Sequence, residues 1–314
     1  MPKRPNGQRL LSSGCSPLSE PTPPTVGAIE AGGTSLRCVV ASSLEELSGA
    51  TVLEVPTTTP EETLDFVARF FRPFTQQGAV NTIGIASFGP LDRANFTISK
   101  TTPKVLWRGV NWHHELHARL GNLSVALETD TNAAVLAEVH HGSAKGARVA
   151  AYLTIGTGIG GGIAVEGAPL RGLGHPEIGH LLIGRVPGDT QPSLCPFHHD
   201  CLEGLISGPA IVERFGATAS KLEANHEGVE LISHYLAVAC ANVTTMIGPE
   251  CIVLGGGVME NPHLLQRTRE KTAELLGGYL PQHQLRDASL DTIVAPHFPH
   301  SGLVGAWLLA AALQ

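Results

Sequence analysis

A strand–glycine turn–strand pattern occurs twice in this 314-residue chain, and it constrains the fold more than any other feature. The first copy runs from Ile29 to Val40 around EAGGTS, and the second from Leu153 to Val165 around GTGIGGG. Short apolar runs on both sides of a glycine cluster are typical of β-hairpins. Each hairpin is followed by helical patterns and single apolar strands. We therefore predict an α/β fold of two similar halves that face a cleft, with a boundary near Glu128.

Composition and charge limit the class of protein. Hydrophobic residues make up 42% and charged residues 16%, which are globular values, and the length suffices for two domains. A net charge of −7 without a basic stripe argues against a nucleic-acid partner. No apolar run reaches about 18 residues, so we expect no membrane-spanning helix. The proline- and serine-rich start, residues 1–24, lacks a secretory apolar core and is predicted to be a disordered extension of a cytoplasmic protein.

The predicted strands divide the chain into two domains. A strand at Ser124–Leu127 closes the first half. We predict an N-terminal α/β domain over 25–127, completed by a small apolar C-terminal helix at 302–314. A C-terminal α/β domain then covers 128–301. The loop 174–204 is read as an insertion in this second domain.

Local signals define several individual elements. Thr59 begins a capping box with proline at the first helical position. An apolar strand is predicted over Val149–Ile155, and a long amphipathic helix over Glu227–Ile247. A further helix is predicted over Pro262–Leu276, with Leu275 among the leucines of its apolar side. These elements supply the frame on which the chemistry-bearing motifs are placed.

The loop 174–204 concentrates cysteine and histidine. Two thiolates and two imidazoles suit one tetrahedral Zn²⁺ with a closed ligand shell, which makes the zinc structural. The predicted ligands are His180, Cys195, His198 and Cys201. His175 and His199 are nearby imidazoles that could replace one of them. The alternative is that these side chains share a loop without binding a metal.

Glycine-rich turns predict a nucleotide site. Free backbone N–H groups in the Gly32–Thr34 and Gly156–Gly158 turns can hold phosphate oxygens. A hairpin turn alone explains the first of these equally well. The run Gly156–Gly162 is better explained by close phosphate approach than by folding. A second strand follows this run where a dinucleotide fingerprint requires a helix, so a nucleotide lying between several loops, including Gly255–Gly257, is preferred.

Asp130 stands at the end of a predicted strand and directly before a helix. A carboxylate in this place can accept the proton of a substrate hydroxyl as it attacks phosphorus. Its position is equally compatible with a helix-capping role. Position alone leaves both readings open.

These motifs together resemble the ROK family of sugar kinases, within the actin-like and hexokinase-like ATPases, and most of all the bacterial ROK fructokinases. The resemblance covers nearly everything after Val26. The motifs that carry it are EAGGT, SFGPLD, TPK with Trp107, ETDTN, IGTGIGGG, HPEIGH, CPFH, CLEGLISGPA and LGGGV.

The resemblance implies ATP-dependent phosphorylation of D-fructose to fructose 6-phosphate, with Mg²⁺ accompanying ATP and a structural Zn²⁺. It assigns Asp130 as the catalytic base and Glu177, His180 and Glu203 as sugar-binding residues, His180 also binding zinc. The nucleotide-binding residues it implies are Gly32, Gly33, Thr34, Gly156, Thr157, Gly158, Gly208, Pro209, Gly255, Gly256 and Gly257. By family analogy the chain would form a homodimer.

Three residues depart from the family pattern. Ser35 replaces a common lysine and Glu30 a common aspartate, so the contacts to Mg²⁺ and phosphate are not fixed by the resemblance. Thr129 stands where glucose-specific relatives usually have asparagine, which favours fructose. Two alternatives stay open: a kinase for mannose, glucose or an N-acylated amino sugar, and a non-catalytic sugar-sensing repressor. The short proline-rich extension and the presence of Asp130 argue against the repressor.

Overall fold

A computed structural model describes residues 25–279 and 292–314. The predicted disordered extension, residues 1–24, lies outside the described residues. The strands are β1 Val26–Ala31, β2 Ser35–Ala41, β3 Leu53–Pro56, β4 Thr82–Ser87, β5 Leu91–Asp92, β6 Thr97–Ile98, β7 Ser124–Thr129, β8 Val149–Ile155, β9 Ile159–Val165, β10 Ala168–Pro169, β11 Cys251–Gly255 and β12 Ile293–Val294. The helices are α1 Leu44–Gly49, α2 Pro60–Gln76, α3 Trp112–Leu120, α4 Asp130–His141, α5 Leu202–Ile206, α6 Gly208–Phe215, α7 Glu227–Ile247, α8 Leu264–Leu276 and α9 Ser301–Ala311.

Two five-stranded sheets follow the same plan. Their strand orders are β3-β2-β1-β4-β7 and β10-β9-β8-β11-β12. In each sheet the central strand forms an antiparallel hairpin on one side, β1 with β2 and β8 with β9. On the other side two strands run parallel to it, β4 and β7 or β11 and β12. The prediction of two similar α/β halves, each built on a hairpin with a glycine turn, is confirmed.

Helix α4 lies between the two sheets. Ala133 and Ala137 on one side pack with residues of the first sheet and of α9. Ala134 and Val135 on another side pack with β8 and β11 of the second sheet. Since both sheets pack against one helix, the first residue of α4 is fixed at the cleft between them.

The C-terminal helix α9 returns to the first sheet, where it approaches β4 and α4 closely. A Cβ atom at Gly84 would lie 1.9 Å from the carbonyl oxygen of Ala306, and one at Gly305 would lie 1.9 Å from that of Ala133. Neither glycine has a positive φ. These two positions therefore require glycine because two backbones meet there, and not because of their own dihedral angles.

Most of the predicted elements match the observed ones. Strand β8 and helix α7 have the predicted bounds, and the Thr59 hydroxyl accepts from the backbone N–H of Glu62 at the start of α2. Helix α8 begins at Leu264 instead of Pro262. The placement of Leu275 on its apolar side was wrong, since Leu275 is 46% exposed. Among residues 25–279 and 292–314, no helix combines the length and the apolar character needed to cross a membrane.

Candidate active site

A cavity of about 620 Å³ lies at the meeting point of the two sheets. Glu30 at the end of β1 and Asp130 at the start of α4 line it from the first half. Gly255–Gly257 at the end of β11 line it from the second half, and the segment 295–302 closes its remaining side. The strand ends predicted to carry chemistry therefore do converge on one cleft.

Thr129, and not Asp130, caps helix α4. The Thr129 hydroxyl accepts from the backbone N–H of Asn132 at 3.2 Å. Asp130 is the first residue of the helix, and its carboxylate accepts from the neighbouring N–H of Thr131 at 2.8 Å. The capping reading of Asp130 is thus unnecessary, because another side chain performs that function. Thr129 itself is buried at the end of β7.

The environment of Asp130 raises its pKa to about 7, chiefly through burial. The negative charges of Glu30 and Glu177 act in the same direction. The N–H of Thr131 and the imidazole of His175 oppose them. A carboxylate that ionises near neutrality and faces a cleft has the properties of a general base.

His175 and Glu177 form a polar pair near Asp130. His175 Nε2 lies 2.8 Å from Glu177 Oε1. The same nitrogen faces the loop after β4, where it would lie 3.3 Å from a Cβ at Gly89. Both residues contribute to the electrostatics of Asp130. His175 therefore belongs to the polar cleft, and its alternative role as a substitute metal ligand was wrong.

The two predicted phosphate turns face each other across the cleft. Thr34 Oγ1 of the first turn lies 3.0 Å from Thr157 Oγ1 of the second. The N–H of Gly208 donates to the carbonyl of Gly156 at 2.7 Å, which places the beginning of α6 beside the second turn. The two turns and the first residue of α6 are therefore neighbours, and the backbone N–H groups of turns and of helix N-termini are donors that can bind phosphate oxygens.

The run Gly156–Gly162 is rich in glycine for two separate reasons. Gly156–Gly158 form the turn itself, and a Cβ at Gly156 would meet no heavy atom within 4 Å. Gly160–Gly162 belong to β9, where side chains would collide with α4 or with Ile178: a Cβ at Gly162 would lie 2.3 Å from the carbonyl oxygen of Thr131. The prediction that phosphate approach explains the whole run was therefore wrong for its second half, which packing requires.

Glu203 contacts the second turn directly. Its Oε2 accepts from the backbone N–H of Ile159 at 2.8 Å and would lie 2.7 Å from a Cβ at Gly158. Pro209 follows Gly208 in the first turn of α6. Glu203, predicted to bind sugar, thus lies against the second glycine turn.

The third glycine loop, Gly255–Gly257, and Glu30 both line the cavity. Gly256 has φ +90°, and a Cβ there would lie 2.4 Å from the carbonyl oxygen of Ile155. Glu30 is bound by Arg37 at 3.3 Å, and Arg37 also contacts Glu54 at 2.8 Å. Burial raises the pKa of Glu30, and Arg37 partly offsets this effect. Glu30 is a carboxylate that could hold a cation accompanying the nucleotide.

The four predicted metal ligands come together in the loop before α5. One ligand atom from each of His180, Cys195, His198 and Cys201 lies within 4.8 Å of the others. Cys195 Sγ is 3.7 Å from His180 Nδ1 and 3.6 Å from His198 Nδ1. In a tetrahedral site with Zn–S of about 2.3 Å and Zn–N of about 2.0 Å, sulfur and nitrogen ligands are about 3.5 Å apart. The residues fit a zinc ion, and His199 is not among them.

Two buried carboxylates were not found by sequence reasoning. Glu128 binds Arg93 at 3.1 Å and Arg171 at 2.9 Å, joining segments of both halves two residues before Asp130. Glu138 accepts from the N–H groups of Ser143 and His297 and from the hydroxyl of Ser301. Glu138 thereby shapes the segment 295–302 that closes the cavity. Their partners are distant in sequence, so no local pattern indicated either role.

Comparison with known proteins gives one consistent result. The sequence model of the ROK family matches residues 26–312. A fructokinase of Zymomonas mobilis subsp. mobilis is 38% identical over 298 residues, which cover 92% of this chain and 97% of the relative. A fructokinase of Pediococcus pentosaceus is 36% identical over 291 residues, or 91% and 98%. The crystal structure of a ROK hexokinase from Thermus thermophilus aligns with a TM-score of 0.70 at 26% identity, covering 92% of this chain and 98% of that one.

Proposed function

The chain belongs to the ROK family, and on this premise we propose that it is a fructokinase, which transfers the γ-phosphoryl group of ATP to the 6-hydroxyl of D-fructose. Its similarity to fructokinases over nine-tenths of the chain supports the substrate. The observation that carries the mechanism is Asp130, a carboxylate with a pKa of about 7 at the cleft between two glycine turns.

Asp130 would act as the general base. The 6-hydroxyl oxygen attacks the γ-phosphorus, the bond from that phosphorus to the β–γ bridging oxygen breaks, and ADP leaves. The hydroxyl proton passes to the Asp130 carboxylate. Because the helix cap is supplied by Thr129, the Asp130 carboxylate is available for this transfer. Its raised pKa matches the operating pH, which is where a general base is most effective.

The sugar would bind beside Asp130, against the His175–Glu177 pair. Polar side chains that are preorganised before the sugar binds give orientation at little entropic cost. His175 and Glu177 hold each other by their 2.8 Å contact. Glu203 is fixed by the N–H of Ile159. We assign Glu177, His180 and Glu203 to the fructose hydroxyls and add His175 as the residue that positions Glu177.

The nucleotide would lie between the three glycine loops. The turns around Thr34 and Thr157 and the beginning of α6 suit its phosphates, and Gly255–Gly257 suit the adenosine side. Mg²⁺ arriving with ATP neutralises the charge that develops on the phosphates. Glu30, which lines the same cavity, is the carboxylate we assign to the hydrated ion.

Zinc would act as a structural brace. Four protein ligands leave no open position, so no water-activating role follows. A bond through His180 Nδ1, the atom that faces Cys195, leaves Nε2 of the same ring for a sugar hydroxyl. The metal would thus fix one sugar-binding residue in place.

A coupled assay of ADP release with Mg-ATP tests the proposal. D-fructose, mannose, glucose and N-acetylmannosamine would be compared at equal concentrations on zinc-loaded protein. We expect the highest kcat/KM for fructose. A preference for another sugar would overturn the substrate while leaving the kinase chemistry intact. Binding of sugar without any turnover would overturn the kinase itself and favour a sugar sensor.

A further inference from the structure

Lys104 lies against the first glycine turn, although 70 positions separate it from Thr34 in the sequence. A Cβ atom at Gly33 would lie 3.5 Å from Lys104 Cε and 3.9 Å from Lys104 Nζ. The lysine is half-buried. Among the residues that the structure describes, no carboxylate forms an ion pair with it. An ammonium group held at a turn without an anionic partner is suited to an anionic ligand.

The segment that carries Lys104 is anchored in the core. The Trp107 side chain is 1% exposed, and its Nε1 donates to the carbonyl of Thr58 at 2.9 Å. Its ring packs edge-on against Phe88 with centroids 5.6 Å apart. Arg108 Nε donates to the carbonyl of Thr102 at 3.1 Å and closes the segment on itself. Lys104 is therefore presented from a fixed backbone.

Thr57, which directly follows β3, holds the first glycine turn in place. The N–H of Thr57 donates to the carbonyl of Thr34, and the Thr57 hydroxyl donates to the carbonyl of Gly32, both at 2.9 Å. Since Thr58 binds Trp107 and Thr57 binds the turn, the position of Lys104 relative to Gly33 is set by two adjacent residues. This arrangement keeps the ammonium group beside the turn amides.

The turn itself presents unused donors. Within the described part of the chain, no acceptor is found for the backbone N–H groups of Gly33 and Thr34. The Thr34 hydroxyl faces Thr157 of the opposite turn at 3.0 Å. The nearby guanidinium of Arg37 is already bound by Glu30 and Glu54. A phosphate bound at the first turn would thus meet the Gly33 and Thr34 amides and the ammonium group of Lys104, which has no ion-pair partner among residues 25–279 and 292–314.

We propose that Lys104 binds the terminal phosphates of the nucleotide, together with the Gly33 and Thr34 amides, and is a catalytic residue of the phosphoryl transfer. This inference rests on the proposed function of the cleft. Its ammonium group stabilises the negative charge on the γ-phosphate and on the ADP that leaves. Because negative charge develops on the β–γ bridging oxygen as its bond to the γ-phosphorus breaks, Lys104 contributes to turnover as well as to nucleotide binding.

The test compares K104M and K104R with the control K100M. Met keeps the length of the side chain and removes its charge, and Lys100 is an exposed lysine four positions earlier. Calorimetry would measure the Kd of AMPPNP and of ADP with Mg²⁺, and steady-state assays would give kcat and the KM for fructose. We expect K104M to weaken AMPPNP about tenfold or more and ADP less, since one charge-assisted contact is lost. The KM for fructose should stay within about twofold.

The controls separate a local role from a folding defect. K104R should recover part of the AMPPNP affinity, and K100M should behave as the wild type. A K104M protein whose Kd for AMPPNP and whose kcat both stay within about twofold of wild type would overturn the assignment. The assignment would also be overturned if K104M weakens AMPPNP binding and K104R recovers none of the lost affinity. If the wild type binds AMPPNP but phosphorylates no sugar, the proposed function fails, while the comparison of nucleotide affinities still decides the role of Lys104.

Discussion

In the proposed mechanism, Asp130 serves activity at the expense of stability. Its carboxylate is placed where burial and the charges of Glu30 and Glu177 disfavour ionisation, yet proton transfer requires the ionised form. The N–H of Thr131 and the imidazole of His175 supply limited compensation. Strain of this kind persists at functional sites because the surrounding fold supports it.

The first prediction concerns the pH dependence of activity. Asp130 must be deprotonated to accept the hydroxyl proton, and its pKa is about 7. We expect kcat/KM for fructose to rise with pH and level off above an apparent pKa near 7, as measured with saturating Mg-ATP from about pH 5.5 to pH 8.5. A profile that is flat across this range would argue that another group accepts the proton.

The second prediction concerns stability. The folded protein keeps Asp130 protonated up to a pH of about 7, whereas the unfolded chain ionises it near its ordinary pKa of 3.8. The folded state therefore holds an extra proton in this window, so this group lowers the free energy of unfolding as the pH rises. Asp130→Asn should raise Tm, and by more at about pH 8 than at about pH 5. Asp65→Asn, at a half-exposed carboxylate paired with Arg119, is the matched control. A stabilisation equal at both pH values would contradict the assignment of the pKa.

Among the elements, loops and helix ends carry the residues of the candidate site, and the strands determine where these loops and helix ends meet. The loop 174–204, which we call the metal loop for its four proposed zinc ligands, carries His180. The turns after β1 and β8 carry Thr34 and Thr157, and α4 begins with Asp130. Each of these segments is held by contacts outside itself, such as the bond from Gly208 to Gly156. Substitutions of the residues that make these supporting contacts should therefore alter the geometry of the site, although the substituted residues do not line it.

The metal loop gives the third prediction. Cys195→Ser and Cys201→Ser each remove one of four ligands, so we expect bound zinc to fall and Tm to drop. The matched control is Cys251→Ser, at a buried thiol outside the cluster, which should keep its zinc whatever its stability. Metal analysis of the purified proteins would measure the bound zinc directly. Wild-type metal content in both ligand variants would rule out the site.

The packing of α9 gives the fourth prediction. Gly84→Ala would place a Cβ 1.9 Å from the carbonyl oxygen of Ala306, which requires α9 to move away from β4. We expect a loss of about 1–3 kcal/mol in the free energy of unfolding, measured by urea denaturation. Gly49→Ala, where a Cβ meets no heavy atom within 4 Å, should cost far less. Equal effects of the two substitutions would contradict the close approach of α9.

The sequence predicted these elements where the signal is local. Strand β8 and helix α7 are long and regular, and the cap at Thr59 and the cluster of four proposed metal ligands follow short motifs. Strands β5, β6, β10 and β12 have two residues each and carry no periodic signal. The contact of Lys104 with the turn at Gly33 and the bonds from His297 and Ser301 to Glu138 join residues that are far apart in the chain, so no local pattern could predict them. The Gly160–Gly162 segment was misread because a glycine needed for packing looks the same in sequence as one needed for a ligand.

At the scale of the whole molecule, the duplicated halves explain why the chemistry is central. Helix α4 packs on both sheets, so Asp130 stays at the cleft while the two glycine turns approach from opposite sides. Glu128 ties Arg93 and Arg171 together beside it. Closure of the halves over bound sugar and nucleotide would exclude water from the transferring phosphoryl group.

The fifth prediction concerns the general base itself. Fructose 6-phosphate formation from D-fructose and Mg-ATP would be measured for the wild type and for Asp130→Asn, with fructose affinity determined in parallel by calorimetry. We expect product from the wild type and a loss of kcat of about 10²–10⁴-fold in the variant. The Kd for fructose should stay nearly unchanged, because the substitution keeps the shape of the site. A variant that retains kcat within about tenfold of wild type would contradict the account of Asp130 as the general base.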